Sequence, residues 1–167
     1  MTAAARQLEH GGADIILICT NTMRGVADEV EAAVNIPMLH IADATALRVV
    51  TAGHRRVGLL GTAFTMEQDS YKRRLADRFG LDVIVPDTAD RAAVHAIIYN
   101  KLVVGQVLAA SRARCREIIA RLIKRGAEAT ILGCTEIILL VEQSDSAVAL
   151  FDTTRIHAET AVDFALR

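Results

Sequence analysis

Two stretches of this chain read as versions of one another, and that likeness limits the folds open to it. Gly12 to Thr22 is GADIILICTNT, and Gly126 to Glu136 is GAEATILGCTE. Laid together without gaps, Gly-Ala-acidic matches Gly-Ala-acidic and one apolar run matches the other. The second run, Ala129-Thr130-Ile131-Leu132, is short, partly β-branched and bounded by a glycine and polar residues, as in a buried parallel strand. Open α/β sheets place their chemistry beyond the C-terminal ends of such strands, and there stands Cys134. A unit written twice predicts two related halves. In this register Thr20 stands opposite Cys134, while Cys19 stands opposite Gly133. Neighbours on a strand point to opposite faces, so that offset of one residue decides which group faces a site.

The rest of the chain alternates in the same way. Residues 3 to 10 predict the tail of a helix closed by Gly11-Gly12, feeding a strand from Asp14 to Ile18. A helix is expected from Met23 to Val34, a strand from Pro37 to Ile41 and a helix from Asp43 to Ala52. Arg56 to Met66 predicts a strand followed by a glycine-threonine loop. Thr65 with Gln68 three residues later has the capping-box pattern, which predicts a helix from Met66 to Phe79 stopped by Gly80. A strand at Asp82 to Val85 is followed by helices at Ala89 to Val104 and Gln106 to Arg125. The second of these carries Leu108, Ser111, Cys115, Ile118, Ile119 and Leu122 on one face. After Glu136 the run Ile-Ile-Leu-Leu-Val-Glu predicts a helix start, whose positive end would favour a thiolate at Cys134. A last strand, Ala147 to Phe151, leads through Asp152 into an amphipathic helix to Arg167. Strands alternating with helices predict a layered, parallel α/β sheet. The second half has a strand and glycine turn at 57 to 62, some seventy residues before Cys134, whereas 18 residues precede Cys19. The first half is therefore expected to be incomplete, short of about one βαβα segment.

Composition narrows the function. With 52% apolar residues among 167, the chain can build a core. A net charge of −1 and 4% aromatics, with no Trp, give no reason to expect nucleic acid or an anionic membrane as partner. The apolar runs are shorter than a bilayer span and the N-terminus lacks a signal-peptide pattern, so the cytoplasm is the expected compartment. Three cysteines without CxxC or CxxH spacing argue against a disulfide framework and against zinc. No metal-ligand spacing occurs among the five histidines. His40 and His157 read as structural, His54 and His95 as surface residues. Cys115 reads as core, and Cys19 as packed on the far face of its strand. The Gly58 to Thr62 turn is neither GxGxxG nor a Walker sequence and reads as a pocket turn. Arg112, Arg114, Arg116, Arg121, Lys124 and Arg125 read as a solvated basic face.

Cys19-Thr20-Asn21-Thr22-Met23, Ile36-Pro37-Met38-Leu39-His40-Ile41, Val57 to Thr65, Gly133-Cys134-Thr135-Glu136 and Asp152-Thr153-Thr154 together resemble the aspartate/glutamate racemase family. These are amino-acid racemases that use no cofactor. The resemblance implies two pseudo-symmetric flavodoxin-like domains with the substrate between them, here residues 1–43 plus 152–167 and residues 44–151. It also implies a homodimer and a small amino-acid substrate, aspartate or glutamate. In the implied chemistry two groups face opposite sides of the substrate α-carbon, one removing its proton and the other returning one. Mapped onto this chain, Cys134 and Thr20 take the catalytic positions, and Asn21, Thr22, Thr62 and Thr135 bind the substrate's carboxylate and amino groups. Three departures stand out, one being the family's opening strand with its glycine-rich, serine-containing loop, which these residues do not supply. Relatives often carry Cys where this chain has Thr20, and a hydroxyl is far too weak an acid to rest as a base. Relatives also often carry Lys four residues after a helix tyrosine, where Tyr99 is followed by Val103. A single thiol leaves open a sister chemistry, decarboxylation or maleate-type isomerisation, and also a binding role without catalysis.

Overall fold

A computed structural model describes residues 1–22 and 26–166 of the chain. The order is α1 (Thr2–His10), β1 (Ile16–Leu17), α2 (Ala27–Glu31), β2 (Met38–Leu39), α3 (Ile41–Thr51), β3 (Arg56–Gly61), α4 (Ala63–Glu67) and α5 (Asp69–Phe79). There follow β4 (Asp82–Ile84), α6 (Thr88–Asn100), α7 (Ala109–Lys124), β5 (Ala129–Gly133), β6 (Ala149–Asp152) and α8 (Thr153–Ala165). Short 3₁₀ turns lie at Leu102–Val104, Ile137–Leu139 and Gln143–Asp145.

All strand pairings are parallel, in two sheets: β1-β2, and β4-β3-β5-β6. The larger sheet is covered on both faces, as its apolar central strands require. On one face Leu60 and Leu132 join Val94, Ile98, Ile118, Ile119 and Leu122 from α6 and α7. On the other, Val57, Leu59, Ala129 and Ile131 meet Ala42, Ala46 and Val49 of α3, Leu75 of α5 and Ile156 of α8. The period-two alternation along β3 and β5 thus feeds two separate cores. Burying each such Leu or Ile contributes roughly 1.5–3 kcal/mol. Around the smaller sheet Ala5, Ile16 and Val30 form a third cluster with Ile18, Val34, Ile36 and Met38.

The predicted order of strands and helices holds apart from the helix expected after Glu136, where 3₁₀ turns stand instead, and the helix expected from Met66 to Phe79, which is broken at Gln68. β1 and β2 have two residues each, not five, and helix α3 begins at Ile41 because the His40 ring accepts the Ala42 N–H. Helix α2 ends at Glu31, and its predicted start at Met23 lies outside the described residues. The capping box at Thr65 does not form. Thr62 is the cap instead, its hydroxyl accepting the Thr65 N–H, and the helix breaks at Gln68 into α4 and α5. Gly80 stops α5 with φ of 66°, a left-handed value that a side chain disfavours. Leu108 precedes α7 and is exposed, whereas Ser111, Cys115, Ile118, Ile119 and Leu122 form its buried stripe. The basic residues of α7 are not merely solvated. Arg114 and Arg121 bind the Asp90 carboxylate of α6, and Arg112 donates from Nε to both oxygens of Asp145.

Candidate active site

Backbone proximity at two glycines sets where the site lies. Gly61 at the end of β3 pairs with Gly133 at the end of β5. A Cβ added at Gly61 would stand 2.8 Å from the Gly133 carbonyl oxygen, and one added at Gly133 would stand 3.0 Å from the Leu59 side chain. Only glycines let the two strands close here while the chain turns out of the sheet on either side. Thr62 leaves β3 and Cys134 leaves β5 at this opening.

A cavity of about 190 Å³ lies above these strand ends. It falls below the ~300 Å³ at which pockets for drug-sized ligands begin, and so suits a smaller molecule. Thr20, Asn21 and Thr22 come to it from the loop after β1, and Thr62 and Thr65 from the turn into α4. Ile98, Tyr99 and Val103 close one side, and Gly133, Cys134, Thr135 and Glu136 form the other. All six residues assigned from the sequence therefore line one cavity. Cys19 does not line it: it is exposed rather than packed on a strand face, because β1 ends two residues earlier.

A buried relay ties the β1 loop to the larger sheet. Asn21 Nδ2 donates to Thr153 Oγ1 at 3.1 Å, and that hydroxyl donates to the Leu132 carbonyl at 2.9 Å. Thr153 opens α8, where the Asp152 carboxylate accepts from the Thr154 and Arg155 N–H groups. Within the loop, Thr20 Oγ1 accepts the Thr22 N–H at 3.3 Å and lies 3.0 Å from Thr22 Oγ1.

Cys134 is 5% exposed, and its thiol donates to Glu136 Oε2 at 2.9 Å. The Thr135 hydroxyl donates to the same oxygen at 2.8 Å. Burial, and next the bond to Glu136, push the Cys134 thiol up from an ordinary 9.0 to about 12. That opposes the thiolate by on the order of 4 kcal/mol. The bond from Cys134, and next that from Thr135, hold the Glu136 carboxyl below its usual range. The helix whose N-terminus is expected behind Cys134 does not form. Only the three-residue 3₁₀ turn Ile137–Leu139 follows, too short to sum peptide dipoles, although the N–H groups of Glu136 and Ile137 still favour the thiolate.

Other lining residues have no pocket role in the sequence reading, among them Thr65, which reads there only as a helix cap. Glu136 was read only as part of a motif, although a carboxylate two residues after a candidate thiol was a usable signal. Tyr99 and Val103 were noted only as a departure, and Ile98 not at all. His95 is half-buried rather than superficial: its Nδ1 accepts the Ala63 N–H at 3.1 Å, and its ring lies 4.6 Å from Tyr99. His40 and His157 have structural partners, His157 Nε2 bonding the Leu39 carbonyl at 3.0 Å. Among the described residues no cluster of His, Cys, Asp or Glu has metal-binding geometry, and no helix is long and apolar enough to cross a membrane. A larger groove of about 450 Å³ lies between α6 and α7, but its Arg91, Arg121 and Arg125 are held by Glu67, Asp90 and the Val85 carbonyl.

Fold and site together define a parallel α/β protein with a buried thiol at a strand end, in a cavity rimmed by hydroxyl and amide groups. Residues 1–161 match the model of the Asp/Glu/Hydantoin racemase family, and the chain belongs to that family, one of amino-acid racemases and so of isomerases. The chain is similar to a Yersinia pestis protein proposed to be an Asp/Glu racemase, with 49% identity and a TM-score of 0.96 over 99% of this chain and 72% of that one. An aspartate racemase homologue from Pyrococcus horikoshii is 36% identical with a TM-score of 0.91, over 99% of this chain and 73% of that one. The broad-specificity amino-acid racemase RacX of Bacillus subtilis is 25% identical over 158 residues, 95% of this chain and 67% of that protein.

Proposed function

We propose that this chain is a PLP-independent racemase or epimerase of an acidic amino acid, aspartate or glutamate, working by thiol-based abstraction and return of the α-proton. The observation that supports this reading is the cavity itself, which Cys134 and Thr20 both line among small donor side chains. In the proposed reaction Asn21, Thr22, Thr62 and Thr135 hold the substrate's polar groups, and donors among them stabilise the enediolate-like charge on its carboxylate. Cys134, as thiolate, removes the α-proton from one face. Thr20 delivers a proton to the other face while taking one from Thr22, whose own is replaced from water. The thiol formed at Cys134 then loses its proton to solvent, so every proton is accounted for.

The proposed division into residues 1–43 with 152–167 and residues 44–151 puts the substrate between two units. A homodimer in the cytoplasm belongs to the same reading, and light scattering checks the dimer. The function is tested by incubating each enantiomer of aspartate and glutamate with the protein and following the opposite enantiomer by chiral chromatography. Interconversion is expected. Loss of CO₂ from an arylmalonate, or conversion of maleate to fumarate, without interconversion of either amino acid would overturn it in favour of the single-thiol sister chemistries. Binding without any turnover would overturn it in favour of a binding protein.

A further inference from the structure

Glu136 has no part in the reaction just described, yet its carboxylate lies nearest the reacting sulfur. Three observations bear on what it does. It lines the cavity, and among the described residues there it is the one charged side chain, an anion. Its Oε2 is 2.9 Å from Cys134 Sγ. It also holds the Thr135 hydroxyl, leaving Oε1 without a hydrogen bond from these two groups.

A carboxylate beside a thiol can be a proton acceptor that makes the thiolate, or a counter-charge for something else. The geometry favours the second role: Cys134 Sγ donates to Glu136 Oε2, so the proton rests on sulfur in the free protein, in keeping with a thiol held high and a carboxyl held low. The second follows from covalent geometry. In an amino acid the ammonium nitrogen is one bond from the α-carbon. A sulfur placed to take the α-proton therefore has that nitrogen close by, within reach of a carboxylate 2.9 Å from the sulfur. Resting on the racemase reading above, we infer that Glu136 anchors the substrate's α-ammonium group and that arrival of this cation lets Cys134 release its proton to solvent. The free protein then holds an inert thiol, and only a substrate bearing a protonated amine creates the base. The required substrate class is an α-amino acid with a free amine. A 2-hydroxy acid or an N-acylated amino acid lacks the cation and leaves two adjacent anions unbalanced.

The first measurements need no turnover. Binding of L-aspartate and L-malate, and of L-glutamate and L-2-hydroxyglutarate, is measured by calorimetry on the unaltered protein, Glu136→Gln and Glu136→Asp. The unaltered protein should prefer the amine by about tenfold or more, as a charge-assisted hydrogen bond would give. Glu136→Gln should erase the preference, and Glu136→Asp should keep part of it. In parallel, iodoacetamide labelling of Cys134 in the ligand-free protein, read by peptide mass spectrometry, should accelerate in Glu136→Gln because a neighbouring anion is gone. Equal affinity for amine and hydroxyl ligands in the unaltered protein would overturn the inference, as would slower labelling in Glu136→Gln, the mark of a base. Racemisation failing while the amine preference holds would overturn the proposed reaction alone. α-Proton exchange on malate as fast as on aspartate would overturn the ammonium anchor alone.

Discussion

Cys134 meets opposing influences: burial and the Glu136 carboxylate hold its proton, while the N–H groups of Glu136 and Ile137 loosen it. The first pair wins in the free protein. Iodoacetamide labelling of Cys134 should therefore keep rising about tenfold per pH unit through pH 9, where an ordinary thiol levels off, and flatten only near 12. A plateau below pH 9 would contradict the burial argument. Thr20 is assigned the opposite face of the substrate, so Thr20→Val should suppress inversion more than tenfold while α-proton exchange from one enantiomer persists. Comparing chiral chromatography with exchange in D₂O separates the two rates. These residues were legible because Thr20 and Cys134 fall in one register of the repeated unit. For Glu136 the spacing of two residues from Cys134 is a signal of nearness only; that its side chain folds back to accept the thiol proton depends on the turn after β5.

At the level of elements, β3, β5, α6 and α7 could be read from apolar period and glycine stops, because both faces of the sheet are buried and the pattern is unambiguous. The short pieces could not. β1 is two residues long where it pairs with the two residues of β2, a register that apolar pattern alone does not set, and the choice between Thr62 and Thr65 as cap depends on which hydroxyl the turn points at the free N–H groups. The predicted helix after Glu136 does not form. 3₁₀ turns stand there at Ile137–Leu139 and Gln143–Asp145, and Arg112 ties the second to α7 through Glu142 and Asp145. The Gly61-Gly133 contact yields a prediction at this scale. Gly61→Ala forces a methyl group against the Gly133 carbonyl and should cost about 1–3 kcal/mol, measured by urea unfolding. A loss below 0.5 kcal/mol would show that the strands can part there at little cost.

Across the whole molecule, α8 joins what the two sheets keep separate. Thr153 bridges Asn21 to the Leu132 carbonyl, while His157 bonds the Leu39 carbonyl at the end of β2. Burial, offset in part by the Leu39 bond, lowers the His157 pKa from 6.5. The unfolded chain therefore binds more protons between the two values. Stability should be fully present above about pH 6.5 and fall as acid approaches the folded value, with a shallower fall in His157→Gln; thermal unfolding across pH 5 to 7.5 checks the slope. The repeat predicts two related halves, and the family resemblance implies that the last helix returns to the first; the particular bonds from α8 to Asn21 and to the Leu39 carbonyl are not legible in the sequence, because they join residues 132 and 118 positions apart. The account as a whole rests on Cys134 being the base. Its most direct test is α-proton exchange of aspartate and glutamate in D₂O, followed by NMR, for the unaltered protein, Cys134→Ser and Cys19→Ser. Exchange should fall at least about a hundredfold in Cys134→Ser and be unchanged in Cys19→Ser. The reverse pattern, or full exchange in Cys134→Ser, would contradict it.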